Sequence, residues 1–198
     1  MKLRLFGVAC AGILTLGLIE TVVAAPIVIF TDNFDSEIGN ALNYNSFTNW
    51  DVFDGTVDLV AQGEYRISCF GSVGKCVDLD GSALDAARFV TKQSFNLKPG
   101  IYELGFAISG NQRGDVVDTV TVSLGTIYSE VFTKSSGDPF EPVTRTIRVT
   151  APVSVPITFD HAGGDNFGII LDNVSLYLSE RIYTLPFLQP LLLDDPGS

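Results

Sequence analysis

The residue types that could do chemistry are few. The chain has a single histidine, His161, and a Ser-His-Asp relay would have to use it. It stands beside a glycine turn, and no nucleophile-elbow pattern accompanies it. Paired carboxylates for glycoside hydrolysis can be drawn from Asp78, Asp80 and Glu103. With 23 acidic residues in the chain, such a pair carries little information. "DLDG" at 78–81 matches the start of an EF-hand loop but lacks the later oxygens and the terminal Glu. "GNQRG" at 110–114 has neither the spacing nor the strand-to-helix setting of a phosphate-binding loop. The sequence reads as a non-enzyme.

The cysteines say more. Three occur, and the first, Cys10, lies in an apolar run behind Lys2 and Arg4. That run, with small residues at Val22-Val23-Ala24, has the layout of a secretory signal peptide over residues 1–24. The apolar run is shorter than the roughly 20 residues that a bilayer-spanning helix needs, so no membrane span is expected after cleavage. Export leaves one close pair, Cys69 and Cys76, and an oxidising compartment favours their disulfide. The protein is expected to be secreted: extracellular, at the cell surface or periplasmic.

The formal charge is −11, and residues 1–24 carry +1, so the remainder carries −12. Such a surface repels phosphates and argues against nucleic acid as a partner. The sequence carries no signal for an oligomeric state.

The elements that must position these residues are strands. Alternating stretches recur every 8 to 12 residues: "TVDLVAQ", "KCVDLDG", "ARFVTKQSFNL", "IYELGFAIS", "DTVTVSLG", "TRTIRVTA", "VPITF" and "DNFGIILDNVSLYL". Turn residues separate them, as in "KPG" and "SGNQRG". The pattern predicts an all-β antiparallel sandwich, a jelly roll, over residues 25–178. After Leu178, Pro186 and Pro190 interrupt an apolar run, and residues 179–198 read as an irregular tail.

Strict alternation puts Ile170, Val174, Leu176 and Leu178 on one face of the last strand, with Asp172 on that same face. A buried carboxylate needs a partner. In "KCVDLDGS", alternation turns Asp78 and Asp80 away from the core, and in "DTVTVSLG" it turns out Thr119, Thr121 and Ser123. This polar face is either simply solvated or a surface for polyols, with Asn111, Gln112 and Arg113 at its rim.

Four segments carry a resemblance: "TDNFDSEIGNALNYNSFTNWDVFDGTVDLV" at 31–60, "CVDLDGS" at 76–82, "FNLKPGIYELGFAISGNQRG" at 95–114 and "GGDNFGIILDNVSL" at 163–176. In this order they resemble secreted bacterial galactose-binding-like jelly-roll domains, as found in proteins with a PEP-type C-terminal sorting signal. The Pro-Glu-Pro motif, membrane helix and basic tail of that signal do not occur in this sequence. More distantly, the segments are similar to calcium-bearing carbohydrate-binding modules. That likeness implies a structural calcium held by Asp35 of "NFD" and Asp172 of "LDNVSL". The alternative for Asp172 is hydrogen bonding to backbone amides or a hydroxyl.

Secretion, the strand pattern, the polar face and the resemblance together imply a non-catalytic module that binds a glycan or cell-surface polysaccharide. Asp78, Asp80, Asn111 and Arg113 are its polar candidates, and Trp50 and Tyr44 its aromatic ones. Trp50 could instead fill the core, and Arg113 could pair with an acidic neighbour such as Asp115. The second reading is a structural or adhesive extracellular protein with no sugar specificity.

Overall fold

A computed structural model describes residues 25–114 and 116–181; the expected signal peptide and residues 182–198 of the expected tail lie outside the described residues. Among the described residues thirteen strands follow one another: β1 (Ile27–Asp32), β2 (Trp50–Phe53), β3 (Asp58–Ala61), β4 (Lys75–Asp78), β5 (Arg88–Thr91), β6 (Phe95–Leu97) and β7 (Gly100–Ser109). Then come β8 (Val117–Leu124), β9 (Tyr128–Ser135), β10 (Glu141–Val149), β11 (Val153–Val155), β12 (Ile157–Ala162) and β13 (Ile170–Arg181). Strand pairing thus continues three residues past Leu178.

The strands form an all-β antiparallel sandwich of jelly-roll type. One sheet has the order β10-β7-β13-β4-β3, with β1 also pairing β13; the other runs β2-β5-β12-β8-β9. A short β11–β6 pair forms a separate two-stranded sheet. The alternation in β7 and β8 does what the sequence implies: Tyr102, Leu104, Phe106, Val120, Val122 and Leu124 are buried between the sheets.

Aromatic rings dominate this interior. Trp50 is fully buried and stacks on Phe89 at 4.5 Å. Phe34, Phe47 and Phe159 are also fully buried around this pair. Rings of this size remove large apolar areas from water, which is the main drive for collapse. The Trp50 Nε1–H donates to Asp32 Oδ2 at 2.9 Å, so its polar atom is satisfied inside the core.

The last strand departs from strict alternation. Asp172 pairs with Ala107 and Ser175 with Gly105, so two residues of β13 oppose one of β7. This is a β-bulge, and Asn173 takes a left-handed φ of 51° within it. The extra residue shifts the phase. Val174 and Leu176 face the main core, whereas Asp172 and Ile170 turn to the outer side of the sheet. The shared face expected for Asp172, Val174, Leu176 and Leu178 is therefore corrected by one inserted residue.

That outer side is roofed. Residues 62–74 form a strap with two 3-10 turns, Glu64–Arg66 and Phe70–Ser72. Beneath it lies a second apolar cluster of Val60, Ile67, Cys69, Cys76 and Ile170, with Phe140 packed against it. The Cys69–Cys76 disulfide closes the strap onto β4, as expected from the sequence.

Candidate functional site

The loop between β7 and β8 organises the site. Asn111 Oδ1 accepts the backbone N–H groups of Arg113 and Gly114, both at 2.9 Å, and its Nδ2 donates to Asp118 Oδ2 at 2.9 Å. An Asx-type turn of this kind fixes a loop without regular structure. Gly110 is required here: a Cβ would stand 1.9 Å from the Ser135 carbonyl oxygen.

Arg113 turns inward. Its guanidinium pairs with Asp78, donates to the Asn166 carbonyl at 3.0 Å and lies over the Phe167 ring at 4.9 Å. Asp78 Oδ1 also accepts the N–H groups of Asp80 and Gly168. Burial drives the Asp78 pKa well up, and the Arg113 charge opposes that shift. Asp80 Oδ2 accepts from Gly164 and Asp165, at 2.7 and 3.1 Å. Nearby, His161 Nε2 accepts the Ile169 N–H at 3.1 Å, and burial lowers the imidazole pKa.

The structure thus gathers Asp78, Asp80, Asn111 and Arg113 in one cluster, but the first three are fully buried. They point away from the main core as alternation requires. The 110–114 and 163–168 loops then cover them. In this arrangement they hold these loops in place, and the Arg113 side chain keeps partial exposure. Asp115, the alternative partner for Arg113, lies outside the described residues.

Of the aromatic candidates, Trp50 has no exposed surface. Tyr44 packs edge-on against Phe47 at 4.7 Å, and its hydroxyl lies 3.3 Å from Glu37 Oε2. Trp50 offers no free ring face, and Tyr44 is half-buried.

Between the strap and the β9–β10 turn lies an open groove of about 560 Å³, within the range of small-ligand clefts. Ser68 and Phe70 form its strap wall, Ser136, Asp138 and Phe140 the opposite wall, and Gln112 its floor. Phe70 and Phe140 meet edge-on with centroids 5.7 Å apart. Gln112, at a left-handed φ of 62°, donates to the Ser68 carbonyl and Ser109 Oγ, and its Oε1 accepts the Ser68 N–H at 2.9 Å. Gln112 is visible in the sequence as a rim residue. Phe70, Phe140 and Asp138 carry no such signal, because a disulfide strap and a distant hairpin bring them together.

Asp172 anchors the strap from below. Its Oδ2 accepts the Phe70 N–H and its Oδ1 the Asn173 N–H. Asp35 Oδ1 accepts the Lys75 N–H, while the Lys75 ammonium donates to the Asp35 carbonyl. The charge here suits a cation, since Asp35 and Asp32 both act on Asp172. Among the described residues no group of three or more His, Cys, Asp or Glu is gathered here, and Asp35 Oδ1 is engaged by the Lys75 N–H.

No family model matches the chain, and no curated protein matches it. Solved structures do. The chain is similar to the Clostridium thermocellum xylanase 10B CBM22-1–GH10 modules complexed with xylohexaose, at 15% identity and a TM-score of 0.50. The match covers 78% of this chain and 29% of that one, so the chain spans under a third of its length. The CBM22-1 xylan-binding domain of Paenibacillus barcinonensis Xyn10C matches over 80% of this chain and 98% of its own, at 11% identity and a TM-score of 0.49. The K1 cleaved adhesin domain of Porphyromonas gingivalis Lys-gingipain matches over 74% and 96%, at 14% identity and a TM-score of 0.49. The likeness is one of fold.

Proposed function

We propose that this domain is a non-catalytic, extracellular carbohydrate-binding module whose ligand seat is the strap groove. The carrying observation is the pairing of two phenyl rings, Phe70 and Phe140, in a groove that the amide of Gln112 also lines. A sugar presents apolar C–H faces and directional hydroxyls, and this mixture of rings and amide, hydroxyl and carboxylate groups is complementary to both. The jelly-roll fold, shared with carbohydrate-binding modules, supports the reading. Among the described residues Asp138 is the one carboxylate of the groove lining, and a glycosidase needs two across the scissile bond. With a charge of −12 outside residues 1–24, a neutral glycan is the favoured ligand.

Structural calcium at Asp35 and Asp172 and secretion after cleavage near Ala24 belong to the same proposal. The calcium is supported by the clustered carboxylate charge and not by the present donor set.

Calorimetry with xylohexaose and β-1,4-galactotriose, preceded by a glycan array, tests the groove. Phe140→Ala and Gln112→Ala are each expected to weaken binding about tenfold, or about 1.4 kcal/mol. If both variants bind as the parent does, the groove is the wrong seat.

A second reading, self-association as an adhesive or structural protein, is favoured by one observation. Ile27 and Val28 on the edge strand β1 are 43% and 59% exposed, and exposed apolar edges template strand pairing. Light scattering without sugar separates the two readings.

A further inference from the structure

We propose that a second groove, at the bulged junction of β13 with β1, binds neutral oligosaccharide independently of the strap groove. The groove is about 470 Å³, and it shares no lining residue with the first. Thr31, Asn33, Asn49, Asn173, Ser175 and Tyr177 give it its chemistry.

The bulge builds it. Asn173, held at positive φ, is exposed, and the phase shift places Ser175 and Tyr177 on the outer face of the sheet. Among the described residues, the side chains of Asn173, Ser175, Tyr177 and Thr31 make no hydrogen bond. Four groups capable of donating and accepting thus face one groove without partners among the described residues. Bulges of this kind commonly re-aim side chains at binding sites.

The charge balance selects the ligand class. Among the described residues no Lys, Arg or His lines the groove, so an anionic ligand meets no counter-charge from them. Glu103 lies in a strip beyond the groove lining. The one carboxylate among the described residues of that lining, Asp32, is buried and already accepts from the Phe34 N–H, Asn49 Nδ2 and Trp50 Nε1. A cation would compete with three donors there. A neutral, hydroxyl-rich ligand meets neither obstacle, and the half-buried Tyr177 ring supplies the apolar face a pyranose needs.

The register sets the length. Thr31 lies opposite Ser175, which lies opposite Gly105, which lies opposite Thr144. Beside that row run Tyr177, Glu103 and Thr146. Gly105 keeps the row open, since a Cβ there would stand 2.6 Å from Ser175 Oγ. Four strands at about 4.8 Å spacing make a polar strip roughly 14 Å long. That suits a short oligosaccharide better than a single sugar.

The test is a titration of backbone amide NMR shifts with xylohexaose, cellohexaose and β-1,4-galactotriose, each to about 10 mM, enough to see millimolar affinity. The expected result is that at least one probe shifts residues 31–33, 49 and 173–177. Tyr177→Ala should weaken this binding at least tenfold, and Asn173→Gly, which tolerates positive φ, should weaken it several-fold. Phe140→Ala should leave it unchanged, which separates this groove from the strap groove. If no probe shifts those residues, or Tyr177→Ala binds as the parent does, the proposal is overturned. Binding lost in Phe140→Ala but kept in Tyr177→Ala would assign all affinity to the strap groove and overturn it equally.

Discussion

Asp172 Oδ2 accepts the Phe70 N–H at 3.1 Å, across 102 residues of chain. One carboxylate of the last strand thereby holds the aromatic wall of the candidate groove. Burial, with the charges of Asp35 and Asp32, pushes its pKa from 3.8 up to about 7. The folded state therefore holds this proton more tightly than the unfolded chain. The stabilisation is full below about pH 4 and is lost as pH rises through about 7.

The first prediction follows from that sign. In EDTA, the melting midpoint of the parent should fall between about pH 5 and pH 8. Asp172→Asn, which has no charge to bury, should show a flatter profile over the same window. The comparison is of slopes, because the variant also loses one acceptor. Parallel profiles would show that Asp172 is not the group responsible.

Calcium is the second. An ion at Asp172 and Asp35 binds only the folded state and would stabilise it by about 2.7 kcal/mol at a hundredfold excess over Kd. Millimolar calcium should then raise the midpoint measured in EDTA by several degrees, and Asp172→Asn should lose the response. An unchanged parent midpoint removes the calcium proposal and leaves the two amide bonds as the whole account of this carboxylate.

Much of this was legible in the sequence, and the failures share a cause. Alternation located β3, β4, β7, β8, β10 and β12, because a strand half-facing a core must alternate. It failed at Asp172, where one bulge residue reverses the phase. It placed Asp78 and Asp80 outside the core correctly but could not see the loops that bury them. Trp50 read as core or platform and Tyr44 as platform, since a ring's type does not tell which side of the sheet it faces. Phe70 and Phe140 were invisible, because they meet only through the disulfide strap and a hairpin 70 residues later.

The disulfide carries the third prediction. Closing a loop this short should contribute about 2–3 kcal/mol through the unfolded chain. Replacing both Cys69 and Cys76 with Ala should lower the denaturation free energy by about that amount. It should also weaken any sugar bound in the strap groove, because Ser68 and Phe70 lose their covalent anchor. An unchanged denaturant midpoint would mean that the satellite cluster holds the strap without the bond.

His161 opposes Asp172 in its pH response. Its Nε2 accepts the Ile169 N–H, so the neutral ring carries its proton on Nδ1. Burial depresses the folded pKa below 6.5, and the nearby Asp80, Asp165 and Asp160 only partly offset this. Stability is therefore present above pH 6.5 and lost as pH falls below it. Nitrogen NMR should show the Nδ1–H tautomer near neutrality and a titration midpoint under 6.5. A midpoint at or above 6.5 would contradict the buried acceptor role.

The last prediction separates scaffold from contact at Arg113. Its guanidinium pairs with Asp78, which has no exposed surface. Removing one partner of a buried pair strands the other's charge, at a cost of about 3–5 kcal/mol. Arg113→Ala should therefore be strongly destabilised, by that order. Replacing both residues, with Arg113→Met and Asp78→Asn, removes both charges and leaves an amide oxygen to accept the Asp80 and Gly168 N–H groups. That double variant should recover most of the loss, as buried pairs replaced by uncharged groups of similar volume often do. Its affinity for any sugar that the parent binds should change less than threefold, because Gln112 and not Arg113 reaches the groove. Two measurements decide it, denaturant unfolding and calorimetry on the same preparations. If Arg113→Ala costs under about 1 kcal/mol, the level of an exposed pair, the inward-facing ion pair is wrong. If the double variant is stable yet loses binding, Arg113 touches the ligand after all.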